Sequence, residues 1–150
     1  MTDIINVVAA INSTFAIMLS VCIIEDDPIH QRIAQIIIEK NNFFEQISCF
    51  TFAGDALDFF FENKDNTDAL PDVILLDLNM PVISGWDFLH TYVQLQKDLK
   101  KVSDIYIVSS SVDENDKLHS QQYPFVKGFI SKPISPAVLN SYFQQNPLAS

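Results

Sequence analysis

The stretch that decides the fold is residues 73–89, which read VILLDLNMPVISGWDFL. Its first four residues, Val73 to Leu76, are all apolar and lack the polar alternation of a strand that has one face in water. Such a run is typical of a strand buried on both faces, in the middle of a parallel sheet. Gly85 then precedes a run of helical period. This segment therefore predicts a central strand that delivers one carboxylate, Asp77, and is followed by a helix.

Outward from this segment, short apolar runs alternate with longer runs of helical period. From Leu19 onward the chain consists of five β-α units, which predicts an α/β fold with a doubly wound, five-stranded parallel sheet. The predicted strands are 19–24, 47–52, 73–76, 105–108 and 125–130, and the predicted helices are 28–41, 54–63, 86–93, 113–121 and 136–144. The residues expected to face the sheet are Ile29, Ile33, Ile36 and Ile37 in the first helix and Ala56, Leu57, Phe60 and Phe61 in the second.

The first 18 residues have no place in this pattern. We therefore predict an N-terminal extension of unknown role at 1–18, one domain at 19–145 and a C-terminal tail at 146–150. Residues 4–24 carry no charge and are about as long as a membrane-spanning helix. Polar residues such as Asn12 and Ser13 interrupt the run, and no basic segment precedes it. Two alternatives stay open for this segment: a membrane or export role, or a loosely attached extension before Met18. Of these, we expect no membrane insertion.

Composition restricts the class of partner. The formal net charge is −10, and Arg32 is the only arginine. Such a surface repels phosphate backbones, so we expect no direct nucleic-acid binding. Cys22 and Cys49 lie inside apolar runs, where cysteine is usually a small buried hydrophobe, and this favours a cytoplasmic location.

Polar residues follow four of the predicted strands. They are Glu25-Asp26-Asp27, Asp77, Ser109-Ser110-Ser111 and Ser131-Lys132. In an open parallel sheet, ligands bind beyond the carboxyl ends of the strands. A single aspartate there is most often a helix cap, but acids, hydroxyls and an amine at four strand ends favour a site. Clustered carboxylates repel each other unless a cation lies among them, and all-oxygen ligands favour Mg²⁺.

A carboxylate cluster with Mg²⁺, an additional aspartate and a lysine suits chemistry on a phosphoryl group. The three glycines, Gly54, Gly85 and Gly128, are widely spaced and form no glycine-rich phosphate loop. ATP is therefore not the expected donor, whereas a phosphohistidine or a small phosphodonor is. His30, His90 and His119 show no metal-ligand spacing and are interpreted as helix-surface or packing residues.

Four segments together resemble the receiver domain of bacterial response regulators, over residues 19–145. They are VCIIEDDP at 21–28, VILLDLNMPVISGWDFL at 73–89, IYIVSSS at 105–111 and FISKP at 129–133. The resemblance implies a flavodoxin-like strand order, 2-1-3-4-5. It also implies roles for individual residues. Asp77 would be the phosphoacceptor and a Mg²⁺ ligand, Asp26 a direct ligand and the backbone carbonyl of Asn79 a third ligand, with Glu25 behind these ligands or bound to the ion through water. Lys132 would be the counter-charge, Ser109 the switch hydroxyl, Phe129 the switch aromatic, Asp27 a helix cap, and Pro81 and Gly85 turn residues.

The predicted function is a stand-alone receiver of a two-component phosphorelay. It would accept a phosphoryl group from a sensor histidine kinase or a histidine phosphotransfer protein and would switch a surface that binds a downstream protein. It would not be a metabolic enzyme, although it would catalyse its own phosphoryl transfer and dephosphorylation. One alternative, an Mg²⁺-dependent aspartyl-phosphate hydrolase, typically needs an acid two residues after the nucleophile, where this chain has Asn79. Another, a docking module independent of phosphorylation, would be expected to lack Asp26, Asp77 or Lys132, and all three are present.

Overall fold

The computed structural model describes residues 19–111 and 113–143. Five parallel strands form one sheet in the order β2-β1-β3-β4-β5, which confirms the predicted fold class and strand order. The elements in chain order are β1 (Ser20–Ile24), α1 (Pro28–Asn41), β2 (Gln46–Phe50), α2 (Ala53–Glu62), β3 (Val73–Asp77), α3 (Gly85–Leu95), β4 (Asp104–Ser109), α4 (Glu114–Ser120), β5 (Val126–Ser131) and α5 (Pro136–Phe143).

Two hydrophobic clusters lie on the two faces of the sheet. Alternate residues of the central strand belong to the two clusters. Ile74 and Leu76 face the cluster under α2 and α3, and Val73 and Leu75 face the cluster under α1 and α5. All five residues of β3 are buried, which confirms the prediction of a central strand with no solvent-facing side. Because all the strand pairs are parallel, the carboxyl ends of the five strands lie at one edge of the sheet.

The rotation of α1 differs from the prediction. The helix begins after Asp27, whose side chain accepts hydrogen bonds from the backbone N–H groups of Ile29 and His30, so the predicted cap is confirmed. Its buried residues, however, are Ala34 and Ile38, and Ile29 and Ile33 are 68% and 44% exposed. The assignment of these two isoleucines to the inner face was wrong, and so was that of Ile36, which is only partly buried and packs against neither hydrophobic cluster. A helix with apolar residues on more than one side can rotate, and packing on the sheet decides which residues are buried.

A similar correction applies to α2. Ala53, Ala56 and Phe60 are buried, and Phe60 contacts Phe88 and Tyr92 edge-on. Phe61 was predicted to face the sheet but is 54% exposed, and the ammonium of Lys64 lies 5.0 Å from its ring centroid. The aromatic core on this face is thus built around Phe60, Phe88 and Tyr92 and does not include Phe61.

The extension at 1–18 and the tail at 146–150 lie outside the described residues, so these boundaries stay predictions. Within the described part of the chain, no helix is long and apolar enough to cross a membrane.

Deleting residues 1–17 is expected to leave a folded domain, because residues 19–111 and 113–143 by themselves form a five-stranded sheet with a hydrophobic cluster on each face. Thermal unfolding followed by circular dichroism should remain a single cooperative transition. A truncated protein that unfolds gradually or has no transition would show that the deleted residues belong to the core.

Candidate functional site

Three carboxylates meet where β1 and β3 end. These strands are neighbours, with Ile24 beside Leu76, so the residues that follow them converge. One carboxylate oxygen from each of Glu25, Asp26 and Asp77 lies within 4.8 Å of the other two. Glu25 and Asp77 are only 5% and 4% exposed. Buried acids this close repel each other, so the arrangement favours a cation among them.

Lys132 approaches the cluster from β5. Its ammonium nitrogen lies 2.5 Å from Glu25 Oε1 and 3.5 Å from Asp77 Oδ1. Its backbone N–H donates to the carbonyl of Ser109 at 3.0 Å, which ties this lysine to the end of β4. The peptide bond between Lys132 and Pro133 is cis. One positive charge is therefore held directly between two of the three acids.

The electrostatics of Glu25 fit a cation site. Burial raises the pKa of Glu25 to about 8, and the contact with Asp77 adds to the rise, against the lowering effect of Lys132. Burial also lowers the pKa of Lys132, but its contacts with Glu25 and Asp77 raise the pKa more, so its ammonium stays charged. Glu25 Oε2 is buried and has no hydrogen-bond partner among the described residues. A hydrated Mg²⁺ ion would satisfy this oxygen and offset the repulsion.

We expect Mg²⁺ affinity to rise with pH up to about 8, because the ion must displace the proton that the raised pKa of Glu25 retains. Loss of one proton limits the slope to about tenfold in affinity per pH unit. Calorimetric titrations at several pH values would measure it. A dissociation constant that is the same below pH 6 and above pH 8 would contradict a proton on Glu25.

The β3–α3 loop brings its backbone close to Asp77. The N–H of Asn79 donates to Asp77 Oδ1 at 3.3 Å, and the N–H of Gly85 donates to the carbonyl of Leu78 at 2.9 Å. A Cβ atom at Gly85 would lie 2.5 Å from the backbone oxygen of Asp77, which is too close for any real contact. Gly85 is thus needed here because the first turn of α3 rests on the end of β3.

Val82 forms a strained turn in the same loop. Its φ is +69°, and the N–H of Ile83 donates to the carbonyl of Pro81 at 2.8 Å, which is the γ-turn form that proteins rarely use. Its side chain is 89% exposed. The sequence carried no signal for this turn, because valine is among the residues least suited to a positive φ.

Ser109 and Phe129 lie on the two strands beyond β3. Ser109 is buried, and its hydroxyl oxygen accepts a hydrogen bond from the backbone N–H of Ser111 at 3.2 Å. Phe129 is partly buried against the hydrophobic cluster under α2 and α3, and its carbonyl accepts from the hydroxyl of Tyr142 at 3.1 Å. Their switch roles stay predictions, as does the ligand role of the Asn79 carbonyl.

His30 lies closer to the site than the sequence indicated. It is a half-exposed helix residue, as expected, but its Nδ1 lies 3.3 Å from Glu25 Oε1. It also lines a mainly apolar cavity of about 270 Å³ beside the acids, together with Ile33, Pro133 and Ile134. The only sequence signal for this placement was its position in the first turn of the helix that follows Glu25.

Comparison with known families gives a direct match. The model of the response regulator receiver domain matches residues 21–144. Among curated proteins, the chain is 28% identical over 119 residues to "Hybrid signal transduction histidine kinase I" of Dictyostelium discoideum. That match covers 79% of this chain and 7% of the Dictyostelium protein, so the chain spans a small fraction of that relative's length.

Solved structures show the same fold. A two-component response regulator from Cytophaga hutchinsonii superimposes with a TM-score of 0.75 at 27% identity, covering 85% of this chain and 96% of that one. Chemotaxis protein CheY4 of Vibrio cholerae gives 0.68 at 20% identity, covering 85% and 97%. The receiver domain of the Arabidopsis thaliana histidine kinase CKI1, in complex with Mg²⁺, gives 0.72 at 16% identity, covering 87% and 95%.

Proposed function

Because this chain belongs to the family of response regulator receiver domains, we propose that it is a signalling switch that accepts a phosphoryl group on Asp77. Receiver domains are modules of two-component signal transduction and not metabolic enzymes. They interact with histidine kinases and with downstream targets, and they bind Mg²⁺ at an acidic site. The observation that carries the assignment of Asp77 is the approach of Lys132 to two buried acids, with Asp26 beside them.

In the proposed reaction, a carboxylate oxygen of Asp77 attacks the phosphorus of a phosphohistidine in line, and the bond from phosphorus to the imidazole nitrogen breaks. Asp26, Asp77 and the Asn79 carbonyl would hold Mg²⁺, with Glu25 bound through water. When bound, this ion neutralises charge on the phosphoryl oxygens. Lys132 supplies a second positive charge to the product. Hydrolysis of the same acyl phosphate would return the protein to its starting state.

The switch would begin at the phosphoryl group. We propose that Ser109 moves to donate a hydrogen bond to a phosphoryl oxygen and that Phe129 moves into the space that this opens. These movements would change the surface of α4, β5 and α5, where a downstream protein would bind. The kinase or phosphotransfer partner, the cytoplasmic location and the action as a stand-alone receiver stay predictions, the last because the Dictyostelium relative is far longer than this chain.

Phosphorylation by a small donor tests the function. With acetyl phosphate or phosphoramidate and Mg²⁺, the intact protein should gain the mass of one phosphoryl group, and hydroxylamine should remove it, as expected of an acyl phosphate. Chelating the metal should prevent the reaction, because the clustered acids would then repel the incoming anion. Phosphorylation that does not depend on Mg²⁺, or a product that is stable to hydroxylamine, would contradict the proposal.

Lys132→Ala is expected to be phosphorylated but not to undergo the conformational change that phosphorylation causes in the wild type. The variant should still bind Mg²⁺, because the carboxylates remain, but its product would lack the positive charge that fixes the phosphoryl oxygens. Chemical shifts near Phe129 that change on phosphorylation of the wild type should change little in the variant. Lys127→Ala, at an exposed lysine of the same strand, is the control and should switch normally. A normal conformational change in Lys132→Ala would show that the switch does not need Lys132.

A further inference from the structure

The helix α4 is held to the domain by few buried contacts. Of its seven residues, Ser120 alone is buried in the part of the chain that the structure describes. Leu118, the one large apolar residue of this helix, is 60% exposed. A helix of this length is not stable in water by itself. The position of α4 therefore depends on the few side chains that contact neighbouring elements.

His119 makes one of these contacts. Its imidazole ring stacks on the indole ring of Trp86, with 4.1 Å between the ring centroids and 20° between the ring planes. Trp86 is partly buried and packs against the hydrophobic cluster under α2 and α3, whereas His119 is exposed. A stacked pair of rings adds stability beyond the area that it buries. The Trp86–His119 stack thus ties the last turn of α4 to the first turn of α3.

The first turn of α3 also touches the proposed phosphoacceptor. Trp86 directly follows Gly85, whose N–H donates to the carbonyl of Leu78 at 2.9 Å. Even one added carbon atom at Gly85 would lie 2.5 Å from the backbone oxygen of Asp77, so no free space separates the turn from the end of β3. A shift of the backbone at Asp77 must therefore displace the first turn of α3, and Trp86 with it.

We propose that Trp86 and His119 are positioning residues that carry the effect of phosphorylation at Asp77 to α4. This proposal rests on the proposed function and deepens it. Phosphorylation would shift the end of β3 and the first turn of α3, and His119 would follow the indole ring and move α4. This route runs from α3 to α4, whereas the movements proposed for Ser109 and Phe129 run through β4 and β5.

His119→Ala tests whether the stack holds α4, and this measurement needs no phosphorylation. Because His119 is exposed, the fold should persist, but amides of α4 should exchange hydrogen about two- to tenfold faster, as expected from the loss of one aromatic pair. Fluorescence of Trp86, the only tryptophan, should shift to longer wavelength as water reaches its ring. His119→Tyr keeps a ring and should preserve both wild-type signals.

Leu118→Ala is the matched control on the same helix. It removes a larger side chain that is mostly in solvent, so exchange in α4 and the fluorescence of Trp86 should stay as in the wild type. Wild-type exchange and fluorescence in His119→Ala would overturn the proposal. So would equal acceleration of exchange in His119→Ala and Leu118→Ala, since the stack would then contribute nothing specific.

Phosphorylation with acetyl phosphate and Mg²⁺ tests the transmission. In the wild type, chemical shifts of both Phe129 and α4 should change. In phosphorylated His119→Ala, the change at Phe129 should persist and most of the change in α4 should be lost, and His119→Tyr should restore it. Equal changes in α4 in the wild type and His119→Ala would overturn the proposed route alone. Failure of the wild type to gain a phosphoryl group, seen separately by intact mass, would defeat the proposed function and this route with it.

Discussion

Asp77→Asn protein, incubated with Mg²⁺ and acetyl phosphate, is expected to gain no phosphoryl group. Asparagine keeps the size of the side chain on β3 but replaces the carboxylate nucleophile that the proposed reaction needs by a neutral amide. The buried strand should hold the amide where the carboxylate was, since all of β3 is packed on both faces. Intact-mass spectrometry would measure the loss, which should be complete.

Two controls make this result specific. Asp72→Asn also removes a partly buried carboxylate, but Asp72 lies beside the first residue of β1 and pairs with Lys101, at the opposite edge of the sheet. It should be phosphorylated like the wild type. Asp26→Ala should bind Mg²⁺ more weakly and react more slowly, because it removes a proposed ligand and leaves the nucleophile. Stoichiometric phosphorylation of Asp77→Asn would show that another residue is the acceptor.

Gly85→Ala is expected to lower stability substantially. The added methyl group would lie 2.5 Å from the backbone oxygen of Asp77 and 2.7 Å from Leu78 Cα, so either the strand end or α3 must move. Overpacking of this kind usually reduces the free energy of unfolding by about 1–3 kcal/mol. Because the obstacle is the backbone of the acceptor residue itself, phosphorylation should also slow. Urea denaturation and the rate of acyl phosphate formation would measure the two effects.

Gly54→Ala is the matched control for this substitution. Gly54 also lies in the first turn of a helix, and its new methyl group would also meet an atom at 2.5 Å. That atom belongs to the ring of Phe52, which is 39% exposed and can turn away. Gly54→Ala should therefore be nearly neutral, or stabilising by up to about 1 kcal/mol, because alanine favours a helix. A Gly85→Ala variant as stable as Gly54→Ala would show that α3 can move away from β3 easily.

The sequence alone determined the central strand and the residues that follow the strands. Val73 to Leu76 is apolar without alternation, and such a run is typical of a strand buried on both faces. In a parallel sheet the carboxyl ends lie at one edge, so the acids at 25, 26 and 77 and the lysine at 132 were expected on the same edge. The fold and the membership of the site could be predicted because both follow from the order of strands and helices.

Only the tertiary structure decided how α1 is rotated. The helix has isoleucines on several sides, so the sequence allowed more than one inner face. Packing on the sheet buried Ala34 and Ile38 and left Ile29 and Ile33 exposed. A periodic pattern gives the spacing of apolar residues along a helix, but neighbouring elements decide which of them are covered.

Local geometry at the acceptor was also decided by the assembled structure. Lys132 contacts Glu25 across 107 positions of sequence, and the close approach of α3 to the end of β3 makes Gly85 necessary. Neither contact has a local sequence signal, because each depends on how two separately formed elements meet. The sequence therefore fixes which groups reach this edge of the sheet, and packing fixes their distances, their burial and the raised pKa of Glu25.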